Sequence, residues 1–356
     1  MKKILIIASA ARVGGALSIL KDILHQARNT PHYYSVIIDP SITNHLPSSK
    51  NINYIIIDTT SWIKRIYYDF FGYKKLLSKK HFDICLNLQN IPSRINIEKQ
   101  FIYYHQPLPL SEYHFSLFKK NEIKYWAYKN LYLFFIYINK KHAYKFIVQT
   151  KWVKEKLSKK LDLKNDLIYI IYPKIEFPKE IICNYDDDNT MFYPASSFPY
   201  KNHIILIEAL NQLPLDFLIK NKIKLYLTLS PDDNPELYDK VKQYNLMDIV
   251  IFLGNLNKND VFSFYRKSKV LVFPSYLETY GLPLAEAMHY GCYIIALDQS
   301  FSREILDGYK NKILCTNNVD EWAKEIESIV SKKRMPNNTI QLNKLSEKNI
   351  IDIILK

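Results

Sequence analysis

From Lys3 onward, short apolar, β-branched runs alternate with longer stretches whose apolar positions recur every three to four residues. The runs Lys3–Ala8, Tyr34–Ile38, Tyr54–Asp58, Ile84–Leu88, Phe101–Tyr104 and Phe146–Gln149 read as buried strands. Helical periodicity fills Gly15–Gln26, Trp62–Leu77, Tyr113–Asn139 and Lys151–Leu161. The scheme then repeats, with strands at Met191–Tyr193, Lys224–Leu229, Ile249–Leu253, Val270–Phe273 and Tyr293–Ala296. Its helices are His203–Leu213, Pro235–Tyr244, Asp260–Lys267, Leu284–Tyr290 and Val319–Ser331. Such alternation predicts an α/β fold of two doubly wound, Rossmann-like domains with parallel sheets and a cleft between them. Tyr172–Thr190, with two prolines and the acidic run Asp186–Asp188, reads as the linker. The expected domains are 1–180 and 181–340, with a C-terminal helix in 341–356 for which a return to the first domain is one option.

Composition narrows the class. A chain of 356 residues has room for two domains, and 48% hydrophobic with 24% charged residues describes a folded globular protein. The longest apolar run, Leu131–Ile138, is too short to span a bilayer, and MKKILIIASAARVGG reads as a first strand, not a signal peptide. Cys85, Cys183, Cys292 and Cys315 are scattered without metal spacing, so a reduced, cytoplasmic protein is expected. Charge is unevenly placed: residues 1–180 hold 29 Lys and Arg against 13 Asp and Glu, a net +16, while 181–356 hold 20 against 22, a net −2. A basic first half suits an anionic surface. Glycine is scarce, 7 in all, so Gly14–Gly15 after the first strand and Gly281 after a later one are positions where little else fits.

Chemistry concentrates in FPSYLETYGLPLAEAMHYGCYIIALD, Phe273–Asp298. A strand ends at Phe273, Gly281 permits a tight turn, and a helix begins near Pro283, where a missing N–H costs nothing. Glu278 and Glu286 then flank a helix N-terminus that attracts phosphate. Carboxylates there suit sugar hydroxyls, but they equally suit the helix dipole, and spacing leaves both readings open.

ETYGLPLAEAMHYG, followed by YIIALD and SREIL, resembles the signature of retaining GT-B glycosyltransferases of family four, the group 1 glycosyltransferases. The likeness extends upstream through FYPASSFPYKNHIILIEAL and FLGNLNKNDVFSFYRKSKVLVFPS, which covers nearly all of the second half. In the first half, Gly14–Gly15 resembles the family's glycine loop, FIYYHQPLP sets His105 at a strand end, and FIVQTKWVKEKL resembles a strand-to-helix entry.

The resemblance implies sugar transfer from a nucleotide-diphosphate donor with retention, without cofactor or divalent metal. It implies His105, Glu278 and Lys201 as catalytic, with Lys201 on the diphosphate, Glu278 on the donor sugar, His105 at the transferred sugar and Glu286 on the ribose. Gly14, Gly15, Tyr280, Gly281 and Leu282 complete the implied donor site. One departure stands out: Ala195 occupies a place where the family often has arginine, and Arg266 or Lys267 would have to supply that charge. The usual phenylalanine before the motif glycine is Tyr280.

The basic, aromatic-rich stretches Trp62–Lys80 and Phe115–Lys145 suggest an anionic membrane surface, hence a peripheral enzyme of the inner face. The implied acceptor is a lipid-linked or other glycan in O-antigen, capsule or other surface polysaccharide synthesis. Two readings compete: a nucleotide-sugar epimerase of the same fold, or a basic nucleic-acid- or membrane-binding protein without catalysis. Against nucleic acid, no finger, helix-turn-helix or RNP-like signature accompanies the charge. ARVGGALS lacks the GxGxxG of a dinucleotide dehydrogenase.

Overall fold

The apolar runs become two all-parallel sheets. A computed structural model describes residues 1–12, 14–119, 122–175, 177–178, 189–333 and 349–356, the Trp62 side chain excepted. The chain divides into two units, Met1–Lys174 with Leu345–Lys356, and Ile175–Lys344. The boundaries expected at 180/181 and 340/341, the acidic run Asp186–Asp188 and Cys183 lie outside the described residues.

In the first unit the strands are β1 (Lys3–Ile7), β2 (Tyr33–Ile38), β3 (Ile52–Ile56), β4 (Ile84–Asn87), β5 (Lys99–Tyr103), β6 (Lys145–Val148) and β7 (Ile168–Ile170). They lie in the order β3-β2-β1-β4-β5-β6-β7, every pair parallel. The crossovers carry α1 (Gly14–Arg28), α2 (Trp62–Tyr67), α3 (Tyr73–Leu76), α4 (Ile123–Asn139) and α5 (Lys151–Leu161). Strand side chains alternate between faces, and β1 shows why its run is wholly apolar. Ile4 and Ile6 join the core under α1, whereas Leu5 and Ile7 join a second core with Ile37 and Tyr73 on the opposite face.

The second unit repeats the plan with β8 (Thr190–Tyr193), β9 (Lys224–Leu227), β10 (Val250–Phe252), β11 (Val270–Phe273), β12 (Tyr293–Leu297) and β13 (Lys312–Cys315), ordered β10-β9-β8-β11-β12-β13. Its helices are α6 (His203–Asn211), α7 (Leu215–Lys220), α8 (Pro235–Gln243), α9 (Lys258–Lys267), α10 (Leu282–His289), α11 (Ser300–Ile305) and α12 (Val319–Ser328). A last helix, α13 (Ile350–Leu355), packs in the first unit: Ile350, Ile351 and Ile354 are buried in the α1-side core, and Lys2 Nζ donates to the Leu355 carbonyl at 2.6 Å.

Two helices are shorter than their periodicity suggests. The pattern over Tyr113–Asn139 becomes helical only from Ile123, because the buried Glu122 carboxylate accepts the Ser116 amide at 2.7 Å, a group that a continuous helix would pair with a backbone carbonyl. The pattern over Trp62–Leu77 is broken by a π-turn at Tyr68–Gly72. A Cβ on Gly72 would stand 2.5 Å from Tyr68 Cδ1, so the packed ring requires glycine there.

Candidate active site

Both sheets have the strand order in which neighbouring strands depart in opposite directions, at β1/β4 in one unit and β8/β11 in the other. Loops leaving the carboxyl ends of such strands part and leave room for a ligand. The sequence candidates sit on these loops or on their immediate neighbours.

In the second unit, β8 leads to a 3-10 turn, Pro199–Lys201, then to Asn202 in the left-handed region (φ 56°) and α6. β11 leads through Ser275 to Gly281 and α10. The two loops are stitched by backbone: Tyr276 N–H donates to the Tyr200 carbonyl at 2.8 Å, and the Tyr193 hydroxyl donates to the Lys201 carbonyl at 2.7 Å. With its backbone fixed, Lys201 forms an ion pair through Nζ with Glu278 Oε1, the two side chains 14% and 16% exposed. Asn202 Nδ2 ties the same turn to Asn317 Oδ1 at 3.1 Å, in the loop after β13.

Gly281 begins α10 with φ 85°, a region costly for any residue with a Cβ, and its carbonyl takes the Leu284 amide at 2.9 Å. Tyr280 is buried beside it, and Leu282, the first residue of the helix, is partly exposed. Pro283 lies in the first turn as the sequence suggested.

Glu286 is one to two turns further along α10 and does not share the Lys201 contact. The Tyr265 hydroxyl of α9 donates to its Oε2 at 2.9 Å. Burial pushes the Glu286 carboxyl above its ordinary range, with the Tyr265 hydroxyl and the Lys258 charge pulling it back. Neither Tyr265 nor Lys258 was signalled by the sequence, because α9 and α10 are separate elements that meet only in the fold.

At Ala195 the structure shows a buried methyl whose carbonyl accepts from the Thr228 hydroxyl at 3.4 Å. Arg266 Nε donates to the Phe262 carbonyl of its own helix at 3.4 Å, and Lys267 is exposed at the end of that helix. His203, next after the Lys201–Asn202 turn, packs its ring 4.7 Å from Tyr193. Burial, with the neighbouring Lys201 charge, pulls its imidazole down to about 3, so it is neutral in the fold.

In the first unit, Gly14 (φ 62°) opens α1 after β1, and a Cβ at Gly14 or Gly15 would meet no atom within 4 Å. The loop entering it is braced by an Arg12–Asp39 ion pair at 2.9 Å. His105 follows β5, and its amide donates to Asn90 Oδ1 at 2.6 Å. Asn90 stands in the loop after β4 with φ 67°, a conformation that asparagine tolerates better than most side chains. Burial pulls the His105 imidazole down to about 4 against a weaker pull from the Tyr103 backbone, which leaves it neutral. Gly14, Gly15 and His105 thus belong to one unit, and Lys201, Glu278, Tyr280, Gly281, Leu282 and Glu286 to the other.

Comparison with known proteins gives the fold its relatives. Residues 174–345 match the family model for glycosyl transferases, group 1. An uncharacterised glycosyltransferase of Methanocaldococcus jannaschii is 29% identical over 192 residues, covering 54% of this chain and 51% of that protein, about half its length. The O-antigen chain mannosyltransferase RfbU of Salmonella typhimurium is 24% identical over 306 residues, covering 83% of this chain and 76% of that one. Among solved structures, Anabaena HepE in complex with UDP and glucose superposes with a TM-score of 0.66 at 18% identity, over 93% of this chain and 90% of that one. WaaG, a glycosyltransferase involved in lipopolysaccharide biosynthesis, does so with a TM-score of 0.66 at 13% identity, over 93% and 90%. Two Rossmann-like units with these neighbours are the GT-B architecture, and the likeness to group 1 glycosyl transferases runs through residues 174–345.

Proposed function

We propose that the protein transfers a sugar, with retention, from a nucleotide-diphosphate donor to a lipid-linked glycan in surface polysaccharide synthesis. The observation that carries this reading is the Lys201–Glu278 pair, set on the loops that follow the two strands flanking the switch point and next to the glycine-started helix α10. Lys201 and the orphan amides at the α10 N-terminus would hold the diphosphate and stabilise its charge as it leaves. Glu278, once released from Lys201, would accept hydrogen bonds from the donor sugar. Glu286, oriented by Tyr265, would take the ribose hydroxyls, and His105 would act at the transferred sugar as a neutral imidazole. Protein groups supply the positive charge in this scheme, so no divalent metal is required. Relatives named for O-antigen and capsular polysaccharide synthesis support the setting.

Thermal unfolding of wild type and Glu286→Ala against UDP, GDP, ADP and CMP tests the donor site. A nucleotide at 100 times its Kd stabilises by about 2.7 kcal/mol. One nucleotide should stabilise wild type alone. The matching sugar nucleotide with a lipid-linked acceptor should then give an α-configured product from an α-configured donor. Stabilisation by none, or conversion of the donor without transfer, overturns the reading.

The membrane part of the proposal rests on the first unit. Ile63, Phe71, Phe118 and Phe134 are 75%, 61%, 99% and 59% exposed, amid Lys64, Lys74, Lys75 and Lys124. Phe70 and Phe135 pack edge to face at 6.2 Å, which brings the α2–α3 segment against α4 and sets Phe71 and Phe134 on neighbouring elements. Exposed aromatics among lysines suit an anionic interface, at about 1 kcal/mol per basic residue near the surface. Among the described residues no helix is long and apolar enough to cross a membrane. Replacing Lys74, Lys75, Lys79 and Lys80 by glutamine should release the protein from anionic vesicles, and unchanged co-sedimentation would refute this.

A further inference from the structure

Helix α4 carries an apolar slot. Lys124, Ala127, Tyr128 and Tyr132 line a cavity of about 190 Å³. At ~30 Å³ for each water-sized group it has room for about six. The four residues stand at i, i+3, i+4 and i+8, one stripe of the helix, and the Tyr128 and Tyr132 rings stack 5.6 Å apart. The Tyr132 hydroxyl is engaged elsewhere, donating to the Gln89 carbonyl at 3.0 Å, and among the described lining residues Lys124 is the charged one.

We propose that this slot holds the isoprenoid or acyl chain of the lipid-linked acceptor, with Lys124 against the lipid's phosphate, an inference that rests on the acceptor class proposed above. Three observations favour this occupant. The walls are two aromatic rings and a methyl, which suit a hydrocarbon chain. The cation at the slot matches a phosphate attached to such a chain. The same helix exposes Ile123, Leu131 and Phe134, so apolar surface continues from the slot to the face on which a membrane lipid would arrive. The slot is also mechanically joined to the candidate chemistry of its own unit. Tyr132 holds Gln89, and the next residue, Asn90, holds the His105 amide at 2.6 Å. A chain seated against Tyr132 therefore braces the loop that positions His105.

The test is binding of farnesyl phosphate, farnesol and inorganic phosphate to wild type, Ala127→Trp and Lys124→Gln, read by calorimetry beside nucleotide binding. Farnesyl phosphate should bind wild type at least tenfold more tightly than farnesol, and inorganic phosphate should not compete. Ala127→Trp, which fills the slot, should weaken farnesyl phosphate at least tenfold, leave nucleotide affinity unchanged and keep the wild-type protease resistance of residues 1–174, which reads the folding of the unit that carries it. Lys124→Gln should bind farnesyl phosphate and farnesol alike. Farnesyl phosphate binding that survives Ala127→Trp, or that is abolished by anionic vesicles lacking isoprenoid, would overturn the slot in favour of another site or of bulk lipid. Nucleotide binding without farnesyl phosphate binding refutes the slot alone. The reverse result refutes the proposed donor chemistry and leaves the slot standing.

Discussion

Replacing Glu278 by glutamine should make the protein bind a bare nucleotide diphosphate more tightly while it turns over less. Lys201 is neutralised by Glu278, and both side chains are about one-sixth exposed, so solvent screens them only in part. Two unit charges ~4 Å apart in an effective dielectric of about 20 attract by ~4 kcal/mol, which is a ceiling for the pair. Glutamine keeps an oxygen to accept from Nζ, so the loss is the difference between a charged and a neutral hydrogen bond, about 1–1.5 kcal/mol. A diphosphate that must draw Lys201 away from Glu278 therefore gains about tenfold in affinity when Gln stands there. The sugar-bearing donor gains less, because the carboxylate it would have engaged is gone. Calorimetry of the nucleotide diphosphate and its sugar derivative, at low and high salt, reads both numbers, and salt should shrink the first difference. A folded Glu278→Gln protein whose nucleotide diphosphate affinity equals or falls below wild type would refute the assignment of Lys201 to the phosphates.

Other expectations follow from single residues. Gly281→Ala puts a Cβ at φ 85° and 3.3 Å from Leu284 Cδ1, so it should cost about 1–2 kcal/mol and lower Tm by several degrees, and an unchanged Tm would show that the backbone relaxes freely. His203 is held neutral down to about pH 3 in the fold but takes a proton near 6.5 when unfolded, so stability should fall as pH drops through that window, by roughly 3 kcal/mol at pH 4. His203→Phe should flatten that acid limb in a series of pH-dependent melts, and an identical slope would assign the loss to other groups. EDTA should leave transfer rates unchanged, because Lys201 and backbone amides supply the charge, and a rate abolished by chelator and restored by magnesium would contradict the scheme.

What the sequence revealed depended on how completely each element is buried. KILII of β1 is apolar throughout because both faces are covered, and strands of that kind were legible from their residues. β7 (IYI) and β13 (KILC) were missed, since short, half-covered edge strands carry no distinctive pattern. Periodicity also overran its limits at Tyr113 and at the π-turn, where side chains of Glu122 and Tyr68 decide the backbone. At the site, the motif around Gly281 announced the strand–turn–helix, and the fold places Lys201 against Glu278. The Tyr265–Glu286 and Asn90–His105 contacts join residues 21 and 15 apart on different elements, which no local spacing encodes.

The docking of α13 into the first unit has a consequence for how the protein is made. That unit is discontinuous in sequence: the residues that cover the α1 side of its sheet, Ile350, Ile351 and Ile354, follow the whole second unit. At ~5–20 residues per second, about 10–35 s pass between synthesis of the first unit's main segment and delivery of the helix that seals it. Throughout that interval an apolar surface around Leu20, Ile23 and Leu24 lacks its α13 cover, while the intervening unit is continuous in sequence and is complete once residue 344 has been made. The first unit is thus the later of the two to finish. A chain stopped at residue 344 should bind a hydrophobic dye and be cut first within residues 1–174, whereas equal resistance of the two units to protease would show that the first is stable unsealed.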